Sequence, residues 1–310
     1  MAVNIPVVNA SRSDSSRNSS RTKILEKLFD TFVLIFMLII CFVMVYPIWY
    51  VFVQSLNDGF DAAQGGLYWW PRVFTIDNYK EVFRNNEIIK AFGVTIARTL
   101  IATTAHVFFT AMTAYAFLRK ELIGRKLYMN MGVITMFFSG GLIPTFIVIN
   151  RLGMYDSFIV YIIPTMFSFF DLIIFQSFFR TIPSSLEEAA SIDGASHFTT
   201  FLRIILPASM PVVATITLFN GVYNWNDFFM GKLYFNNQNL LPIQTYLYKM
   251  ISTSEVSKYT MLAGQASQSR FTTTSLQMAT MIVTTLPIVC IYPFLQKYFV
   301  KGMMIGSVKE

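Results

Sequence analysis

Residues 180–209 read RTIPSSLEEAASIDGASHFTTFLRIILPAS and join two long apolar runs. A connection of this length without structure of its own is uncommon. Pro183, Ser184 and Ser185 precede Leu186, Glu187 and Glu188, so a serine is placed to cap a helix whose first turn holds two acids at the positive end of its dipole. Glu188, Ala189 and Ala190 lead, three residues on, to Gly194, which allows the chain to leave the helix through a left-handed turn. A second amphipathic segment, 195–205, ends at Leu206 and Pro207. The stretch therefore reads as helix, turn, helix, with small alanines that permit close approach to another protein and acids that can meet its basic groups.

Outward from this element the chain is too apolar for an ordinary soluble domain. Its 310 residues are 54% hydrophobic and 13% charged, with a mean hydropathy of +0.52. A bilayer crossing takes about 20 apolar helical residues, and six runs approach that length: 31–56, 91–118, 127–150, 158–179, 208–230 and 276–300. The predicted fold is all-α and polytopic, with six transmembrane helices and both termini on one side. Arg12, Arg17, Arg21, Lys23 and Lys27 precede the first run, and Arg119, Lys120, Arg125 and Lys126 crowd the short loop after the second. Basic residues beside crossings collect on the cytoplasmic side, so both termini are predicted to be cytoplasmic. The formal net charge of +7 is thus an orientation signal and not the footprint of a nucleic-acid partner.

Residues 1–27 read as a basic N-terminal tail, flexible over the Ser-, Asn- and Arg-rich first 22, and not as a cleavable signal peptide. Residues 28–300 form the transmembrane domain, and 301–310 a cytoplasmic C-terminal tail. Two longer segments, 57–90 and 231–275, face outward, and the turn at 151–157 is short. Tyr68, Trp69, Trp70 and Pro71 suit a headgroup boundary or a partner's surface. Gly140, Gly141, Pro144, Pro164, Pro287 and Pro293 interrupt the crossings, and in lipid the freed backbone groups must find partners inside the protein. Cys41 and Cys290 each sit in an apolar run, with no spacing for a metal or a disulfide.

The spacing Glu-Ala-Ala, three residues, Gly, nine residues, Ile, one residue, Leu-Pro is met at Glu188, Ala189, Ala190, Gly194, Ile204, Leu206 and Pro207. It resembles the EAA loop of binding-protein-dependent ABC importers. That resemblance implies a type I importer permease fold in which the loop fits a groove on an ATPase subunit, with Glu188, Ala189, Ala190, Asp193 and Gly194 transmitting nucleotide-driven closure. Four further stretches, FFSGGLIPTF at 137–146, 192–195 with Leu206 and Pro207, NWNDFF at 224–229 and QKYFVKGMMIGSVK at 296–309, resemble the carbohydrate-uptake, maltose-permease-like subunits and their oligosaccharide branch. The resemblance implies a C-terminal tail reaching the ATPase interface through Gly302, Gly306 and Lys309. It also implies a sister permease forming a heterodimer, two copies of a cytoplasmic ATPase that hold ATP and Mg, an extracytoplasmic solute-binding protein, and residence in the bacterial cell membrane. The chain departs from the family pattern at Glu310 and around Phe170, Asp171, Leu172, Gln176 and Ser177.

Ionisable groups at membrane depth usually face a bundle interior or an aqueous path, which singles out Arg98, His106 and Asp171. Arg98 and Asp171 read either as an interhelical ion pair or as contacts to a passing solute. Sugars are held by polar groups on their hydroxyls and aromatic faces on their rings. Asn220, Tyr223, Asn224, Trp225, Asn226 and Asp227 supply both in one crossing, although Asn equally serves helix packing. His106 and His197 read as isolated, neither metal ligands nor catalysts. Gly231 and Lys232 are followed by Leu233, so no phosphate-binding loop forms there, and no nucleophile, base and orienter share a loop. The sequence favours a non-catalytic sugar permease over three rivals: an ABC permease for another solute, an ATP-independent channel or secondary carrier, and a membrane enzyme. The inverted repeat or coupling acids of a carrier are not evident.

Overall fold

Helix α1 (Arg12–Ser55) contains the most apolar crossing, the 31 residues Leu25–Ser55 of hydropathy 2.8, and none of its apolar window is buried by the rest of the chain. The structure, a computed structural model, describes residues 12–66, 69–261 and 273–307. Tyr68 and Lys309 lie outside the described residues, as do residues 1–11. The described part of the basic N-terminal segment, 12–27, is helical and continuous with the first crossing. Once a helix is nucleated in the apolar run, each added residue gains a hydrogen bond, so polar residues prolong it.

Helices α2 (Gly59–Ala63) and α3 (Asp77–Arg84) follow, each short, with Asp58 accepting from the backbone N–H groups of Phe60 and Asp61 to start α2. Helix α4 (Asn86–Ala116) is the central rod. Its buried residues Ala91, Thr95, Arg98, Ala102, His106, Thr110 and Ala114 recur at three- and four-residue spacing, the stripe by which one helix packs on others. It packs along the helices Phe169–Phe179 and Met210–Asn226.

The next three crossings are broken. Helices α5 (Arg125–Phe137) and α6 (Leu142–Arg151) meet at 118°, with Gly141 at φ +85 in the break. Close packing needs glycine at 132 as well, because a Cβ there would run into the Phe169 ring. Two 3-10 turns over 158–165 join α7 (Phe169–Phe179) at 51°. Helices α8 (Ser184–Ile192), α9 (His197–Thr200) and α10 (Leu206–Ala208) precede α11 (Met210–Asn226), which leaves at 83° to the 197–208 segment. Helices α12 (Phe229–Tyr234), α13 (Ile243–Met261) and α14 (Thr273–Ser307), with Pro287 and Pro293 inside it, complete the described chain.

Among the described residues three helices are long and apolar enough to cross a membrane, and up to six crossings result when each bent pair is taken as one. Among the described residues the only β-pairing is an isolated bridge between Asn57 and Phe74. The two ends of the bundle are distinct. At one end, the loop after α4 meets α8 through Arg119 and Glu187. At the other, Tyr246 reaches Asn85 and Glu87, Lys90 reaches Asn239, and Asp156 accepts from the N–H groups of Asn236 and Asn237. The three segments expected to share a face, 57–90, 151–157 and 231–275, are joined there through their described parts.

Candidate functional site

Helix α8 begins at Ser184, but Pro183 is its N-cap residue and no side chain caps it. The serine cap expected from the sequence is absent because proline's fixed φ starts the helix one residue earlier. Its C-terminus follows the expected course in detail. Gly194 has φ +75, its N–H donates to the Ser191 carbonyl at 3.1 Å, and the Ala195 N–H donates to the Ala190 carbonyl at 2.9 Å. These are the two reverse bonds of a Schellman ending, which satisfy the last carbonyls of the helix. Ser196 then accepts from the Thr199 N–H and starts the return segment, in which Phe201–Ile205 form a π-helical turn.

The elbow so formed has an inner and an outer face. Ala190 is buried, whereas Glu188, Ala189, Asp193 and Gly194 are exposed, Ile204 and Leu206 are half-buried and Pro207 is exposed. Ile192 is 87% exposed at the tip. The inner face is fastened in two places. Phe201 and Ile205 join Ala111, Ala114, Tyr115, Phe175, Phe179 and Val212 in one cluster, in which the Tyr115 and Phe201 rings lie 5.5 Å apart. Glu187 accepts an ion pair from Arg119 at 2.9 Å, and Arg119 lies over the Tyr115 ring at 4.6 Å while also donating to its hydroxyl. Movement of α8 is thereby mechanically tied to the end of α4.

Farther along α4, Arg98 is fully buried. It pairs with Asp227 at 2.5 Å, donates to the Asp227 carbonyl at 3.1 Å and lies 4.4 Å over the Tyr161 ring. Asp227 in turn accepts from the N–H groups of Phe229 and Met230, starting α12 where α11 stops. The expected Arg98–Asp171 pair does not form: Asp171 pairs with His106 at 2.8 Å, and the other ring nitrogen of His106 meets the Thr165 carbonyl at 2.7 Å. Arg98 and His106 lie eight residues apart on one helix stripe, so each reaches a different depth of the bundle. His106 is therefore a partnered interhelical group and not isolated.

The five polar and aromatic candidates within α11 divide in the same way, Asp227 lying just past its end. Asn224 is buried and donates to Asn220, and Trp225 is buried with its Nε1 donating to the Thr284 carbonyl at 3.0 Å. Both serve helix packing. Tyr223 is exposed, Asn226 is exposed and Asn220 is half-buried. Together with Phe219 they lie on the more exposed side of α11. Among the described residues no three His, Cys, Asp or Glu side chains gather where a metal ion would be held. Gly302 and Gly306 fall in the last turns of α14.

A helical, membrane-crossing subunit with broken central helices and an elbow projecting from one end is the class these features define. Residues 15–305 match the family model of the binding-protein-dependent transport system inner membrane component, and the chain belongs to that family. Members are non-catalytic permease components of ABC transporters. The chain is 38% identical over 284 residues to protein LplC of Bacillus subtilis, covering 91% of this chain and 95% of that one. It is also 38% identical over 284 residues to the polygalacturonan/rhamnogalacturonan transport system permease protein YtcP of the same organism, covering 92% and 99%. Among solved structures, a bacterial ABC transporter involved in importing the acidic polysaccharide alginate contains a chain matching 95% of this one and all of its own length. The TM-score there is 0.80 at 25% identity. The fold is accordingly that of a type I importer permease.

Proposed function

We propose that this chain is one membrane-spanning half of a bacterial ATP-driven importer that passes a sugar or oligosaccharide inward. The observation that carries the coupling is the elbow of α8 to α10: a Schellman turn at Gly194 presents Glu188, Ala189, Ile192 and Asp193 outward, while Arg119 and the Phe201 cluster bind its inner face to α4, α7 and α11. A partner that grips the outer face moves the bundle. The likeness to a polygalacturonan/rhamnogalacturonan permease and to an alginate importer supports a carbohydrate cargo.

In this reading the elbow and the Arg119–Lys126 loop face the cytoplasm, in accord with the basic residues that surround them. Two copies of an ATPase hold ATP and Mg, and each copy seats one elbow. A sister permease completes the path, and an extracytoplasmic binding protein delivers solute to the opposite end, where 57–90 and 231–261 meet. Clamping of the ATPases favours the outward-open state only because the elbow is held differently in the two states; an equal grip on both would shift nothing. Within this chain the open face of α11, with Asn220, Tyr223 and Asn226, lines the path, whereas Arg98, Asp227, Asp171, Asn224 and Trp225 hold the helices.

The test is uptake into proteoliposomes carrying the permease pair, the ATPase and the binding protein. Oligogalacturonide or alginate-oligosaccharide accumulation that requires ATP, and that Gly194→Val abolishes while the protein stays inserted, is the expected result. Uptake that persists without any ATPase would identify a carrier or channel and overturn the proposal.

A further inference from the structure

The loop between α4 and α5 holds a cavity of about 810 Å³ lined by Lys120, Leu122, Arg125, Lys126, Leu127 and Asn130 among others. The helix elbow does not use it. Arg119, its neighbour in sequence, is committed to Glu187, but among the described residues Lys120, Arg125 and Lys126 enter no ion pair. Glu121, the acid of this loop, lines a different cavity with His197 and Phe198. Three cations thus surround one space without a counter-charge.

The surroundings of that space are apolar on one side. Ile123 is 91% exposed at the loop tip. Leu127, Tyr128, Met131 and Ile134 of α5 are all exposed along the helix that leaves the cavity. Gly124, at φ +76, starts this helix, and no side chain caps its first N–H groups. Cations and uncapped N–H groups at one end, continuous with an exposed apolar helix face, are the complement of an anionic headgroup bearing an acyl chain.

We propose that this cavity binds an anionic phospholipid. Its phosphate lies among Lys120, Arg125 and Lys126, its chain lies along Leu122, Leu127 and the outer face of α5, and Ile123 dips into the interface beside it. The lipid anchors the loop that carries Arg119, and so steadies the clasp on α8. The site needs only that the chain sits in a bilayer, not that it carries sugar.

Native mass spectrometry of the full-length chain in detergent, with phosphatidylglycerol and phosphatidylcholine of identical acyl chains, tests this directly. The chain should retain phosphatidylglycerol in preference, and K120Q/R125Q/K126Q should reduce that preference at least about tenfold, because each basic group near the surface contributes to headgroup attraction. Ile123→Ser should lower retention of both lipids alike. Where the triple variant fails to fold, K126Q alone, at an exposed position, should still lower the preference, and raised salt should do the same to the unaltered chain. Competition by free glycerol phosphate as strong as by the lipid would overturn the lipid assignment in favour of a soluble anion. Equal retention of the two lipids, or a triple variant that keeps phosphatidylglycerol but loses co-purifying ATPase, would overturn it as well, the latter by making the patch a protein contact.

Discussion

Asp227→Asn isolates the contribution of the buried ion pair to the bundle. Arg98 is 0% exposed and the Asp227 side chain 10% exposed, so little water is available to take over when the carboxylate is neutralised. Asparagine keeps an oxygen that can accept from Phe229 and Met230, which preserves the start of α12, while its NH2 replaces the carboxylate oxygen that faces Arg98. Breaking one partner of a buried pair costs about 3–5 kcal/mol, and the hydrogen bond that Arg98 keeps to the backbone carbonyl of residue 227 argues for the lower end. For a chain of this size about 3 kcal/mol lowers the melting temperature by roughly 5–10 °C. The assay is thermal unfolding of the purified chain in detergent. Arg98→Met combined with Asp227→Asn removes both charges and should recover most of the loss, since the buried guanidinium is then no longer uncompensated. A single Asp227→Asn variant that melts with the unaltered protein while its uptake weakens would make Asp227 a solute contact and not a fastener.

Gly194→Val has open space around the added side chain, so its effect comes from the backbone: a β-branched residue at φ +75 costs roughly 1–2 kcal/mol, and the turn should relax, with normal membrane insertion but weakened ATPase co-purification. Arg119→Glu and Glu187→Arg should each leave ATP hydrolysis running with little uptake, and the exchanged pair should restore uptake; full transport by both single variants would exclude the clasp. Asp61 lies outside the crossings, where the Asn57 amide and then Arg72 hold its carboxyl below the usual carboxylate value of 3.8. Its stabilisation is complete above that value and is lost as pH falls through the lowered one. Proteolysis of segment 57–73 should therefore stay slow at pH 6 and accelerate near pH 3, a difference that Asp61→Asn should erase.

The crossings and the elbow were legible because their signals are local. A run of apolar residues declares a helix in lipid, and Glu-Ala-Ala followed by Gly194 declares a helix that stops. The breaks at Gly141 and Ser209 had glycine or proline beside them as warning. What was not legible is who faces whom. Arg98 and Asp227 are separated by 129 residues and His106 and Asp171 by 65, so any acid on a neighbouring crossing was an equally good partner on paper. In α11 both faces are apolar enough for lipid or for packing, and so nothing in the pattern distinguished buried Trp225 from exposed Tyr223. Arg119 carried no signal beyond its place in a basic loop, yet with the Phe201 cluster it ties the elbow to α4.

The proposed coupling requires that the outer face of α8 seat in an ATPase. A photoreactive amino acid at Ile192, the most exposed apolar position of the elbow, measures this in the assembled transporter. The prediction is a covalent adduct with the ATPase subunit whose yield changes on adding ATP, and none from the same probe at Trp70. An adduct from Trp70 and none from Ile192, or no ATPase adduct from Ile192 in either nucleotide state, would contradict it.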